Sequence, residues 1–232
     1  MAKKQSINYI RAAMQLIKEV KFLIGKELLL EWRSKYALNG VVLYVVSTVF
    51  VCFLSFVSLK GVTWNALFWI IMLFASINTV SKSFLQESRG RQIYIYTIAS
   101  PLALIISKTI YNVFLMLLVT LIALGFYTLV FDYVPQDMGL YLLATILGSI
   151  SFSTIFTMVS AIASKAGNGG MLMSILSFPV IIPVIIMLIK LSKNAVDGLD
   201  RSVSLDEIAT LLIINVLVAA FSLLLFPYLW RD

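Results

Sequence analysis

The side chains best placed to do chemistry sit together in one stretch, Ser81 to Lys108. There Glu87, Arg89 and Arg91 surround Gly90, ahead of the apolar run Ile93 to Ile98 and of Pro101. Charges of both signs beside an apolar run suit docking on a partner surface. They are not a catalytic set. The chain has 0 His and 1 Cys, Cys52, so the commonest metal and haem-iron ligand is missing. There is no His to activate a Ser as nucleophile, and no G-x-x-x-x-G-K-[ST] loop could cradle a nucleotide. The sequence therefore points to no catalytic residue, no metal site and no cofactor held by this chain.

The elements that must position this stretch are membrane helices. Of 232 residues, 61% are hydrophobic and only 12% charged, about half the usual charged share of a soluble domain. Six long apolar stretches, at about 37–58, 63–81, 104–131, 139–163, 171–190 and 208–229, are each near or above the roughly 20 residues needed to span a bilayer. Lipid leaves helix as the only way to satisfy their backbones, and their all-round apolarity excludes a barrel of alternating strands. The expected fold is an all-α integral membrane protein with six transmembrane helices in one domain, 37–232. Residues 1–36 form a cytoplasmic or interfacial region. Ile10, Ala13, Ile17, Val20 and Ile24 recur at helical spacing opposite Arg11, Gln15 and Lys18, which predicts an amphipathic interfacial helix. Gly25 is expected to interrupt it. A second short helix from Lys26 to Tyr36 follows, with Glu31 and Lys35 as an opposite-charge i, i+4 pair.

With the N-terminus inside, only Lys60, Lys190, Lys193 and Arg201 of the 18 basic residues lie outside, together with six acids. By the positive-inside rule both termini are then cytoplasmic, and the formal charge of +7 is an orientation signal rather than a nucleic-acid one. Trp32, Trp64, Trp69 and Trp230 lie near span ends and read as interfacial anchors. Gly148, Ser151, Ser153 and Ser160 in the fourth span allow close helix approach. No span carries an ionisable residue near its centre, as pumps and ion-coupled carriers normally do. The body must borrow its energy, which leaves a permease driven by a nucleotide-hydrolysing partner or a structural subunit without turnover.

The 81–108 stretch then reads as a short amphipathic coupling helix on the cytoplasmic surface between spans 2 and 3, with Pro101 opening the third span. Its pattern, E-x-x-G-R, an apolar run, S-P-L and then Lys108, resembles the coupling region of ABC-2-type permeases. Three further segments narrow the likeness. K-E-L-L-L-E-W-R-S at 26–34 contains Trp32 and Arg33, Gly169-Gly170 opens span 5, and F-P-V-I-I-P-V carries Pro179 and Pro183. With these, the chain resembles the CcmB family, the B subunit of the haem-export, cytochrome c maturation system, from about Phe22 to its end.

That resemblance implies the permease subunit of an ABC transporter for haem delivery in c-type cytochrome biogenesis, in the bacterial inner membrane. ATP would be bound by an ATPase partner, contacted through Glu87, Arg89, Gly90, Arg91, Pro101, Trp32 and Arg33. Haem would be handled by a separate membrane subunit and a haem chaperone, with a second membrane subunit completing a homo- or heterodimer. Pro179 and Pro183 each remove a helix hydrogen bond, so span 5 is expected to kink or unwind near 175–183, lining a cavity, after a tight turn at Gly169 and Gly170. Two alternatives stay open: an ABC-2 exporter of a lipid, glycan or drug, and a non-transport assembly scaffold.

Overall fold

A computed structural model describes residues 2–34, 36–56, 59, 61–80, 84, 99–165 and 169–231. All regular structure among them is helical. The helices are α1 (Ala2–Ser34), α2 (Tyr36–Ser55), α3 (Gly61–Val80), α4 (Pro101–Phe131), α5 (Met138–Ala163), α6 (Gly169–Val196) and α7 (Leu205–Arg231), with a 3-10 turn at Arg201–Ser204 before α7. Helices α2 to α7 supply six segments long and apolar enough to cross a membrane.

The centre of the bundle is α5. It packs against α3, α4, α6 and α7, while α2 lies at the edge against α3 and α4. Small side chains make the centre possible. At Gly148 a Cβ would stand 2.6 Å from two ring carbons of Trp69, so α5 approaches α3 closely there. Most polar groups inside α5 bond within the helix or to a neighbour, Ser153 Oγ being an exception. Ser149 Oγ donates to the Thr145 carbonyl, and Asn112 Nδ2 donates to Thr157 Oγ1 at 2.9 Å. That is how hydroxyls and amides are tolerated where water is absent.

One end of the bundle is tied by an aromatic knot. Trp64 lies 4.9 Å from Tyr127, 5.0 Å from Tyr133 and 5.4 Å from Tyr141. Tyr127 donates to the Trp64 carbonyl, and Tyr141 to Asn65 Oδ1. Trp69 Nε1 donates to Ser192 Oγ at 2.7 Å. Two expected interfacial anchors are therefore core residues: Trp64 and Trp69 are 0% and 1% exposed. Their indoles pack against neighbouring aromatic rings. At the same end, Asp137 caps α5 by accepting the Leu140 amide, and holds Arg201 through two hydrogen bonds of 2.8 and 3.0 Å.

Two further expectations are corrected. α1 runs unbroken through Gly25, where an added Cβ would meet nothing within 4 Å. A single Gly in a helix is only about 1 kcal/mol worse than Ala, so packing on either side carries the helix through. α6 is likewise helical throughout, with Gly169 and Gly170 as its first two residues rather than a turn, so that of the kink or unwinding expected near 175–183 the unwinding is absent. Pro179 and Pro183 lie on its exposed side, as do Phe178, Ile182 and Ile186. Packing of the opposite face, at Ser177, Ile181, Val184 and Leu188, holds the helix across the two missing amide donors.

Candidate functional site

The opposite end of the bundle carries α1 and the start of α4, and its chemistry grows from a four-residue stripe. Glu19, Leu23, Glu27 and Glu31 follow one another at i+4 steps, so all four lie on one face of α1. That face meets Ser100, Leu104, Lys108 and Tyr111 at the start of α4. The order is the same on both helices, so the two run parallel.

Each acidic residue has a defined task. Ser100 is the N-cap of α4: its Oγ accepts the Ala103 amide, and Pro101 follows at the first helical position, where its missing N–H is not needed. Glu19 grips that cap, with Oε2 accepting the Ser100 hydroxyl at 2.7 Å and its amide at 3.1 Å. The Ser100 hydroxyl bond, first among its causes, holds the Glu19 carboxyl below its ordinary pKa, so it is ionised at neutral pH. Glu31 joins three helices. Its Oε1 accepts the Leu38 amide of α2 at 2.9 Å, and its Oε2 stands 3.5 Å from the Tyr111 hydroxyl. The expected Glu31–Lys35 pair is thus not needed to place Glu31, and Lys35 lies outside the described residues.

Glu27 serves the centre of the seam. Its Oε1 is 3.6 Å from Lys108 Nζ and 3.3 Å from Lys26 Nζ. Lys108 is 2% exposed, and its ammonium also sits 4.9 Å from the centroid of Phe84. The Glu27 carboxylate and the Phe84 ring stand where water would otherwise solvate this ammonium. A small apolar cluster seals the seam: Val20 and Leu23 of α1, Ala103, Leu104 and Ile105 of α4, Ala161 of α5, Phe226 of α7, and Phe84.

This arrangement binds and positions; it does not react. Among the described residues no group of three or more His, Cys, Asp or Glu could hold a metal ion. What it does is fix the start of α4, at Ser100 and Pro101, against α1.

Residues 18–224 match the family model described as CcmB protein. The chain belongs to the CcmB family. As a CcmB it is a membrane subunit of a haem-exporter ABC system for c-type cytochrome biogenesis, a permease subunit rather than a catalyst, and a multi-pass inner-membrane protein. No curated protein matches the chain.

The sequence-predicted residues of this CcmB fall in three places. Glu87, Arg89, Gly90 and Arg91 lie outside the described residues. Pro101 is the first residue of α4, one position from the Glu19-held cap. Trp32 and Arg33 end α1 and are exposed, Trp32 at 78%; they sit one turn beyond Glu27 and beside Glu31. Gly169, Gly170, Pro179 and Pro183 belong to α6 and form no part of the seam. Sequence reasoning missed Glu19, Glu27 and the burial of Lys108. The signal was present as acids at i, i+8 and i+12 on a helix whose other charges are basic.

Proposed function

We propose that this CcmB couples ATP hydrolysis in a partner ATPase to the handling of haem or of a haem chaperone. The ATPase docks on the 85–98 segment, with Glu87, Arg89, Gly90 and Arg91 as its charged contacts and with Trp32 and Arg33 beside it. The observation that carries this reading is the Glu19–Ser100 clamp. It fastens the exit of that segment to α1, so a push on the segment reaches two elements at once. Both termini are cytoplasmic in this reading, which puts α1 and the basic loops on the ATPase side.

Haem is substrate here, not a group ligated by this chain. Without His, iron would need Met, Cys52 or Tyr as axial ligand, and a separate membrane subunit presenting haem is the simpler assignment. A second membrane subunit completes the transporter. The test is charge reversal in the assembled complex. Glu87→Lys and Arg89→Glu are expected to reduce ATPase co-purification while membrane insertion is unchanged. Undiminished co-purification in both variants would rule out this docking surface.

A further inference from the structure

The seam between α1 and α4 has a property that anchoring alone does not require: three polar contacts along it keep one register. Glu19 pairs with Ser100 and Glu31 with Tyr111 at sequence separations of 81 and 80, and Glu27 meets Lys108 between them. Leu23 and Leu104, one turn after the first pair, meet in the apolar cluster. A slip of α1 by one residue along α4 would turn these groups away from one another.

Apolar side chains would hold two helices together equally well. Replacing a buried ion pair by well-packed apolar residues is often neutral or stabilising. What an ion pair adds is a penalty for other registers, because each alternative draws the Glu27 carboxylate away from the buried Lys108 ammonium. Glu31 extends the same constraint to α2 through the Leu38 amide.

We propose that Glu19, Glu27 and Lys108 are positioning residues for coupling. They lock α1 to the first turns of α4 in one register, so that displacement of the 85–98 segment moves α1 and α4 as one body and, through Glu31, reaches α2. This rests on the ATPase-coupling reading above.

The experiment uses the full complex in cells, with two readouts: ATPase rate of the purified complex, and covalent haem in c-type cytochromes per ATP hydrolysed. Glu27→Met with Lys108→Met keeps the helices packed while removing the register penalty. It is expected to assemble and hydrolyse ATP at the native rate, yet to lose about tenfold in haem delivered per ATP, within the range of coupling between linked sites. The exchange Glu27→Lys with Lys108→Glu restores the pair and is expected to restore delivery. Native yield from the double-Met complex overturns the proposal. If the double-Met chain fails to assemble, the exchange variant decides: recovered delivery supports the register lock, and assembly without delivery refutes it. Failure of the coupling reading itself looks different, because the native total of covalent haem in c-type cytochromes would then persist with a hydrolysis-deficient ATPase partner.

Discussion

Gly148→Ala tests whether α5 is packed to its limit against α3. The added Cβ would lie 2.6 Å from Cη2 and Cζ3 of Trp69 and 3.3 Å from Leu188 Cδ1. Carbon atoms rest about 3.5–4.0 Å apart, so the indole must withdraw by roughly 1 Å. It has little freedom to do so. Its Nε1–H is tied to Ser192 Oγ at 2.7 Å, and Phe68 and Phe152 meet it at centroid distances of 5.5 and 6.0 Å. Ala gains about 1 kcal/mol over Gly in helix propensity. Against this stand about 1–3 kcal/mol of overpacking and about 1 kcal/mol for a weakened buried hydrogen bond. The expected net loss is about 2 kcal/mol. Equilibrium unfolding of the purified chain in mixed detergent and SDS micelles, followed by circular dichroism, measures it. Trp69→Phe removes the two clashing atoms, so the double variant should be less than additive by at least about 1 kcal/mol. A neutral Gly148→Ala, or strict additivity with Trp69→Phe, would refute the close-contact argument.

Two further outcomes are expected. The two hydrogen bonds from Arg201, first among the causes, together with the Leu140 amide, bring the Asp137 carboxyl down from 3.8 to about 2. Its folded pKa is therefore below the unfolded one, and the stability it contributes is complete above about pH 4 and fades as pH falls toward 2. Asp137→Asn should flatten the thermal stability of the complex across that window, and an unchanged pH profile would count against the ion pair. Asn215, mid-way along α7, has both amide atoms buried with no hydrogen-bond partner among the described residues. Asn215→Leu should raise stability by about 1 kcal/mol, and a lower melting temperature would show that the amide is paired in the native membrane.

The spans were legible because an all-round apolar run of bilayer length has few other uses. Their facing was not. Trp64 near a span end looks the same in sequence whether it meets headgroups or Tyr127, since uniform apolarity carries no periodic signal to tell inside from outside. Pro101 was legible as a helix opener, because proline at that position acts through local geometry alone. Lys108 could be counted as an inner charge but not as a buried one. Its partner Glu27 stands far upstream, and local pattern links residues only a few positions apart. The i+4 rule paired Glu31 with Lys35, which lies outside the described residues, and could not reach Leu38 or Tyr111, which Glu31 meets.

The separation of 81 residues between Glu19 and Ser100 also has a meaning for how the chain is made. α1 leaves the ribosome long before its partner exists. At roughly 5–20 residues per second, about 4–16 s pass before α4 begins to emerge. During that interval the acidic face of α1 has no counterpart, and α2 and α3 must enter the membrane without it. α1 is therefore synthesised before α2 and α3 but seated after them. The closing of its seam on α4 then brings Ser100 against Glu19.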